Sequence, residues 1–148
     1  MIQCIAIQGK PGVWYGEGWE DAQLPVLARF SALAGSGSEM VQGEGPCIVV
    51  ADVSAITCKV YDLGTDRDAA TGTEVTPAPT LTSANVFVLR AAGWTKDLHG
   101  YNFRHDLAAA YLADPDEWRL LEYRITLTDG TILPLSVRVK TASIVRGT

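Results

Sequence analysis

The stretch 122–140, EYRITLTDGTILPLSVRVK, constrains the fold more than any other part of the chain. Tyr123, Ile125 and Leu127 share one face of an alternating run, and Glu122, Arg124 and Thr126 share the other. Leu133, Leu135, Val137 and Val139 repeat the pattern against Pro134, Ser136, Arg138 and Lys140. A period of two is the mark of a half-buried strand. Asp129-Gly130 between the runs is a strong hairpin signal. Opposed residues of an antiparallel pair point to the same side of the sheet. A two-residue Asp-Gly loop would set Ile125 against Pro134, core against solvent. A three-residue loop, Thr128-Asp129-Gly130, sets Ile125 against Leu133 and Tyr123 against Leu135. Parity therefore predicts a type I turn with Gly130 as the left-handed bulge residue.

Other runs extend the β pattern. Ile2 to Gln8 reads as a short first strand. Between Leu24 and Leu33, Leu24, Val26, Ala28, Phe30 and Ala32 alternate with Pro25, Leu27, Arg29, Ser31 and Leu33. Cys47 to Ala51 suits a brief strand. Ala55 to Tyr61 turns Ile56, Cys58 and Val60 inward, and Val86 to Arg90 is compact. Tyr101, Phe103 and His105 are expected on one face of a strand from Gly100, with Asn102 and Arg104 on the other. Pro77 and Pro79 confine 74–82 to an edge or an extended connection. Ala34 to Gly45 is expected as a polar loop with a turn at 43–45, followed by loops over 62–73 and 91–100. Asp106 to Ala113, DLAAAYLA, carries the helical signal: an Asp N-cap, alanines, and a stop at Asp114-Pro115. Together these predict an all-β chain. It is an Ig-like antiparallel β-sandwich of about seven strands with one short helix, and a small barrel is the alternative.

Residues 1–23 read as an aromatic, glycine-rich N-terminal arm, or as a first strand plus loop, ahead of a sandwich domain over 24–148. Trp14, Tyr15 and Trp19 are interleaved there with glycines. With Trp94 in its loop, they are the candidate partner contacts.

Composition narrows function by exclusion. The chain has 148 residues, 47% apolar and 20% charged, with a net charge of −5. A domain of this size buries a proper core. No basic block offers phosphate contacts, which disfavours nucleic acid. No leader or spanning run is apparent at the N-terminus, so neither secretion nor membrane insertion is expected. Cys4, Cys47 and Cys58 are an odd set without Cys-x-x-Cys spacing, which argues against a disulfide framework and against zinc.

Chemistry-bearing groups are sparse. His99 and His105 are the histidines, and no motif places a cysteine beside either. Asp62, Asp66 and Asp68 lack the spacing of a calcium loop. Asp114, Asp116, Glu117 and Glu122 cluster in sequence as a glycosidase pair would, and read as a solvated acidic turn. No P-loop, Gly-x-Ser-x-Gly or His-Glu-x-x-His occurs. No catalytic, metal or cofactor residue is expected.

The order of features carries a resemblance. Asp52-Val53-Ser54-Ala55-Ile56 leads into Lys59-Val60-Tyr61-Asp62-Leu63, followed by a proline-rich stretch and Trp94 with Asp97. Gly100-Tyr101-Asn102-Phe103-Arg104-His105 comes next, and then Glu122-Tyr123-Arg124 before a strand, an Asp-Gly turn and a strand. This resembles small tail-associated proteins of phages and prophages. It is similar in layout to the immunoglobulin-like N-terminal domain of siphophage baseplate upper proteins. The resemblance covers residues 24–140. It lacks the helical stalk and receptor-binding regions of a baseplate protein, and the aromatic segment 1–23 has no counterpart. It implies a non-enzymatic virion component (decoration, tail, neck or baseplate) made in the host cytoplasm. Such a component would dock with other virion proteins and with its own copies, without cofactor, nucleic acid or membrane. The alternative is a carbohydrate- or ligand-binding sandwich module. A small hydrolase built on His99 or His105 is a third reading.

Overall fold

The computed structural model describes residues 1–33 and 43–144. Its strands are β1 (Ile2–Ile7), β2 (Val13–Trp19), β3 (Leu24–Leu33), β4 (Glu44–Cys47) and β5 (Val53–Gly64), followed by β6 (Thr73–Val75), β7 (Val86–Arg90), β8 (Tyr101–Leu107), β9 (Trp118–Leu127) and β10 (Ile132–Ala142). They form two five-stranded sheets, β1-β3-β8-β7 with β4 also on β3, and β2-β10-β9-β5-β6. The order matches an immunoglobulin sandwich, with β3, β8 and β7 as strands B, E and D and β10, β9, β5 and β6 as G, F, C and C′.

The hairpin has the expected register. Leu133 opposes Ile125 and Leu135 opposes Tyr123. Gly130 has φ +87, and its N–H donates to the Leu127 carbonyl at 2.9 Å. The expected inward sets of β5 and β10 are buried.

The sheets are mixed rather than purely antiparallel. β1 runs parallel to β3, and β2 runs parallel to β10. The cause lies in residues 8–12. Lys10 N–H donates to the Ile7 carbonyl at 3.0 Å, and Gly9 takes φ +77. The chain therefore reverses after β1 and crosses to the other sheet as β2. Of the strand plus loop expected over 1–23, the strand forms as β1, and 13–19, expected within the loop, form β2. The segment supplies an outer strand to each sheet.

The helix expected over 106–113 does not form. Asp106 and Leu107 extend β8 opposite Pro25 and Leu24, and Ala109–Leu112 makes a short 3-10 turn. Leu107 and Leu112 are fully buried. Burial of a leucine contributes about 1.5–3 kcal/mol, which exceeds alanine's advantage of about 0.7 kcal/mol per residue. The turn expected at 43–45 is also replaced, because Glu44 opens β4, opposite Leu33. Residues 34–42 of the expected loop lie outside the described residues. β2, β4 and β6 are additions, and the brief strand expected over 47–51 gives way to a 3-10 turn at Val50–Asp52, so the described residues hold ten strands rather than about seven.

The inter-sheet core is pinned by rings rather than by a disulfide. Phe30 and Phe103 lie 4.7 Å apart, and Tyr123 meets Phe103 edge-on at 5.5 Å. Cys4, Cys47 and Cys58 are free.

One residue of β8 departs from its expected face. Tyr101 packs with Leu27 and Trp94, apart from the main core that holds Phe103. The ladder with β3 runs only as far as Phe103. Beyond it, the Asn102 side chain takes over the backbone's role. It accepts from Phe30 N–H at 2.7 Å and donates to the carbonyls of Phe30 and Ile48 at 3.0 and 2.7 Å. This amide joins β8, β3 and the end of β4, and it frees Tyr101 for the outer face. Asn102 is accordingly buried.

Candidate interaction surface

Four aromatic residues were the expected contacts, and the structure separates them. In β2, Gly16 and Gly18 face inward. A Cβ on Gly16 would lie 2.6 Å from Ile2 Cδ1, and one on Gly18 would lie 2.9 Å from Leu112 Cδ1. The glycines thus let β2 lie close over Ile2 and Leu112, and alternation turns Val13, Tyr15, Glu17 and Trp19 outward. Trp19 is 61% exposed and Tyr15 50%. Trp14 faces the core as a partly buried neighbour, with Lys96 Nζ 4.3 Å from its ring centroid.

Tyr15 and Trp19 differ in freedom. Tyr15 Oη donates to Asp68 Oδ1 at 3.2 Å, and Arg67 lies over the ring at 5.0 Å. Trp19 lines a cleft of about 270 Å³ with Met1, Glu17, Gln23 and Ala142. β2 pairs only with β10, so its other edge is open among the described residues.

Trp94 is buried rather than exposed. It is 7% exposed, and its ring stacks on Tyr101 at 5.9 Å. The loop that holds it folds over the outer face of the β1-β3-β8-β7 sheet, where Arg29 is wholly buried. Arg29 makes a bidentate pair with Glu44 at 3.0 and 2.8 Å and reaches Asp97 Oδ1 at 2.8 Å. Ser31 Oγ also donates to Glu44, at 2.9 Å. Asp97 Oδ1 further accepts from Trp94 Nε1 at 3.0 Å and from His99 N–H at 2.8 Å. The Arg29 hydrogen bond holds the Asp97 carboxyl well below the usual range against the opposing effect of burial; the His99 and Trp94 donors add to it.

The catalytic candidates are dispersed. His105 points into the core, with Nδ1 2.7 Å from Tyr123 Oη. Burial lowers its pKa, and the nearby Asp106 charge opposes that shift. Among the described residues the His99 ring makes no hydrogen bond; its backbone N–H serves Asp97. Burial pushes the Cys4 and Cys58 thiols up to about 12, so neither is a thiolate at neutral pH.

The acids also serve structure. Asp66 and Asp68 do not converge with Asp62: Asp66 accepts from Asp68 N–H, and Asp68 pairs with Arg67. Asp62, Asp114 and Glu117 do come together, with ligand atoms within 4.8 Å of one another. Buried Arg119 reaches them at 3.0, 2.6 and 3.1 Å. Its guanidinium supplies the positive charge that a cation would bring. Asp116 accepts from Ser143, and Glu122 pairs with Arg124. No helix among the described residues is long and apolar enough to cross a membrane.

No family model, curated protein or solved structure matches this chain. The surface stands on its own geometry.

Sequence reasoning missed Arg29, Glu44 and Arg119. A partial signal was present. The outward set of β3 contains Leu27 beside Arg29, and Leu27 is buried with Trp94 and Tyr101, whereas Leu33 on the same set is exposed.

Proposed function

We propose that this chain is a non-enzymatic structural and interaction protein of a virion: a phage decoration, tail, neck or baseplate component. It docks through sheet edges, loops and the outward face of β2. The observation that carries this reading is the edge strand β2, which presents Val13, Tyr15 and Trp19 to solvent. Exposed aromatic residues on an open strand edge are the chemistry of protein contacts. His105, the Cys4 and Cys58 thiols and the carboxylates of Glu44, Asp62, Asp97, Asp114 and Glu117 are engaged in packing and ion pairs, which supports a binding role over a catalytic one. The phage setting rests on the resemblance in layout, an associational warrant. Expression within an infected or induced lysogenic host, followed by particle purification, tests it. The wild-type chain is expected to sediment with particles, and Trp19→Ala with Tyr15→Ala to lose that association. A chain absent from every particle fraction sinks the reading.

A carbohydrate-binding reading has one specific observation behind it. Trp19 forms a wall of the 270 Å³ cleft, with Glu17 and Gln23 beside it, which is an indole plane with polar groups for a sugar ring. A glycan array read with wild type and Trp19→Ala separates the two readings. Trp19-dependent glycan signals support the second.

A further inference from the structure

We propose that two copies of this chain pair antiparallel along the open edges of β2, about a two-fold axis at Gly16, and so join their β2-β10-β9-β5-β6 sheets into one. The inference rests on the reading of β2 as a docking strand and names its partner as a second copy. Among the described residues β2 is the least guarded edge. It keeps an unbroken register with β10 from Val13 to Trp19, and it holds no proline, lysine or arginine. The other outer strands differ. β6 has three residues, the β7 register is broken between Val86 and Arg90, and Gln3 of β1 is tied to the loop at Gly93 and Thr95. Short strands, bulges and covering loops are the usual guards of a free edge. Glu20 N–H donates to the Ala142 carbonyl at 2.9 Å. Alternation therefore points the backbone groups of even-numbered residues at β10, and those of Val13, Tyr15 and Glu17 at the open edge.

The strand fits itself in one register. An axis falling between two residues would set outward side chains against inward ones, so the axis falls on a residue. Centred on Gly16, the outward Val13 opposes Trp19 of the second copy, and Tyr15 opposes Glu17. On the inward face Trp14 opposes Gly18, and Gly16 opposes Gly16. Each bulky side chain meets one that leaves it room: one indole lies beside a glycine and the other beside a valine. Tyr15 and Glu17 exchange backbone hydrogen bonds on both sides of the axis. Cross-strand pairs of this kind are what stabilise a sheet.

The neighbouring registers fail on charge and on shape. In the ladder with β10, Arg138 lies beside Tyr15 and Lys140 beside Glu17. Arg67, paired with Asp68, lies over the Tyr15 ring. Centred on Gly16, the row across the joined sheets reads Lys140 and Glu17, then Tyr15 and Arg138 of the second copy. Each Glu17 thus sits between basic residues. An axis at Glu17 would set Glu17 against its own copy, and like charges directly opposite are destabilising. An axis at Tyr15 would face the two Arg138-Tyr15 rows together. It would also leave Trp19 opposite Pro11, outside the strand. The fit uses the same patch on both copies, so the contact is isologous and closes as a dimer.

Sedimentation velocity of the purified full chain tests the pairing and its register. Wild type is expected to sediment at twice the monomer mass. Val13 and Trp19 are both exposed, so Val13→Glu and Trp19→Lys are expected to keep the wild-type circular dichroism. Each is expected to weaken the dimer about tenfold or more, because the two-fold repeats the change in both copies. Mixed together, the two variants are expected to pair more tightly than either alone. Their mixed dimer sets the new acid against the new base on one side of the axis and keeps Trp19 against Val13 on the other. Wild type that stays monomeric at its highest soluble concentration overturns the proposal. So does a single variant that dimerises as tightly as wild type, or a mixture no tighter than its components. Monomeric wild type that still sediments with particles would remove the self-pairing and leave the virion reading standing. A dimer that obeys the mixing test but stays out of every particle fraction would support the pairing and sink the virion reading.

Discussion

Glu44 shows most sharply what a single residue does here. Its side chain is 3% exposed and meets Arg29, which is wholly buried, at 2.8 Å. Without Glu44 the guanidinium keeps Asp97 and the Gly100 carbonyl but loses its bonds at Nε and Nη2, so the loss is expected at the lower end of the range of about 3–5 kcal/mol for breaking a buried pair. Glu44→Ala is therefore expected to lower unfolding free energy by that amount, measured by denaturant titration. A loss below 1 kcal/mol would show that the pair behaves as a surface bridge. His105 gives a second test at this scale. Its ordinary pKa is 6.5, and burial lowers it in the folded state. Above 6.5 both states are neutral at this group. As pH falls through 6.5 the unfolded chain takes the proton first, so stability declines, and the decline ends once the folded ring also protonates. Denaturation midpoints measured from neutral to mildly acidic pH are expected to fall for wild type. His105→Gln should flatten that slope. Asp97 acts in a separate, more acidic window. Its depressed pKa contributes stability that is lost as pH falls below the ordinary carboxylate range.

Elements were legible where one face meets water and the other meets the core. The hairpin of β9 and β10 could be read down to its bulge because a one-residue slip would invert every side chain. β5 could be read for the same reason. β2 could not, because two of its three inward positions are Gly16 and Gly18 while Tyr15 and Trp19 face outward, the reverse of the usual pattern. The close contacts with Ile2 at Gly16 and with Leu112 at Gly18 explain it. Gly16→Ala is expected to cost about 1–3 kcal/mol, the usual range for overpacking, since its Cβ would lie 2.6 Å from Ile2 Cδ1. Ile2→Ala removes the obstructing atoms, so the double variant should lose less than the sum of the two single ones. Strict additivity in thermal melts would mean that β2 simply shifts away. The failed helix has a related cause: local propensity in 106–113 favours helix, while burial of Leu107 and Leu112 favours extension. Glu44 and Asn102 were illegible because their partners, Arg29 and Phe30, are distant in sequence and meet them only through β3.

At the scale of the whole molecule, the N-terminal strands close both sheets. β1 lies along one side of β3, from Ile2 opposite Val26 to Ile7 opposite Ser31. β2 lies along β10, from Val13 opposite Ser136 to Trp19 opposite Ala142. Ile2, Cys4 and Ala6 belong to the inter-sheet core. An aromatic arm could be removed without harm to the domain behind it. These strands cannot, because their loss would uncover the backbone edges of β3 and β10 and open the core to water. A chain beginning at residue 24 is expected to lose cooperative unfolding and to aggregate, seen as a broad melt and rapid limited proteolysis. A synthetic peptide of residues 1–23 added during refolding should restore a single sharp transition, because the missing strands can pair from outside as inserted strands do. A truncated chain that melts sharply by itself would return residues 1–23 to the status of an arm. Tyr15 and Trp19 would then be a detachable docking tag rather than a face fixed by the fold.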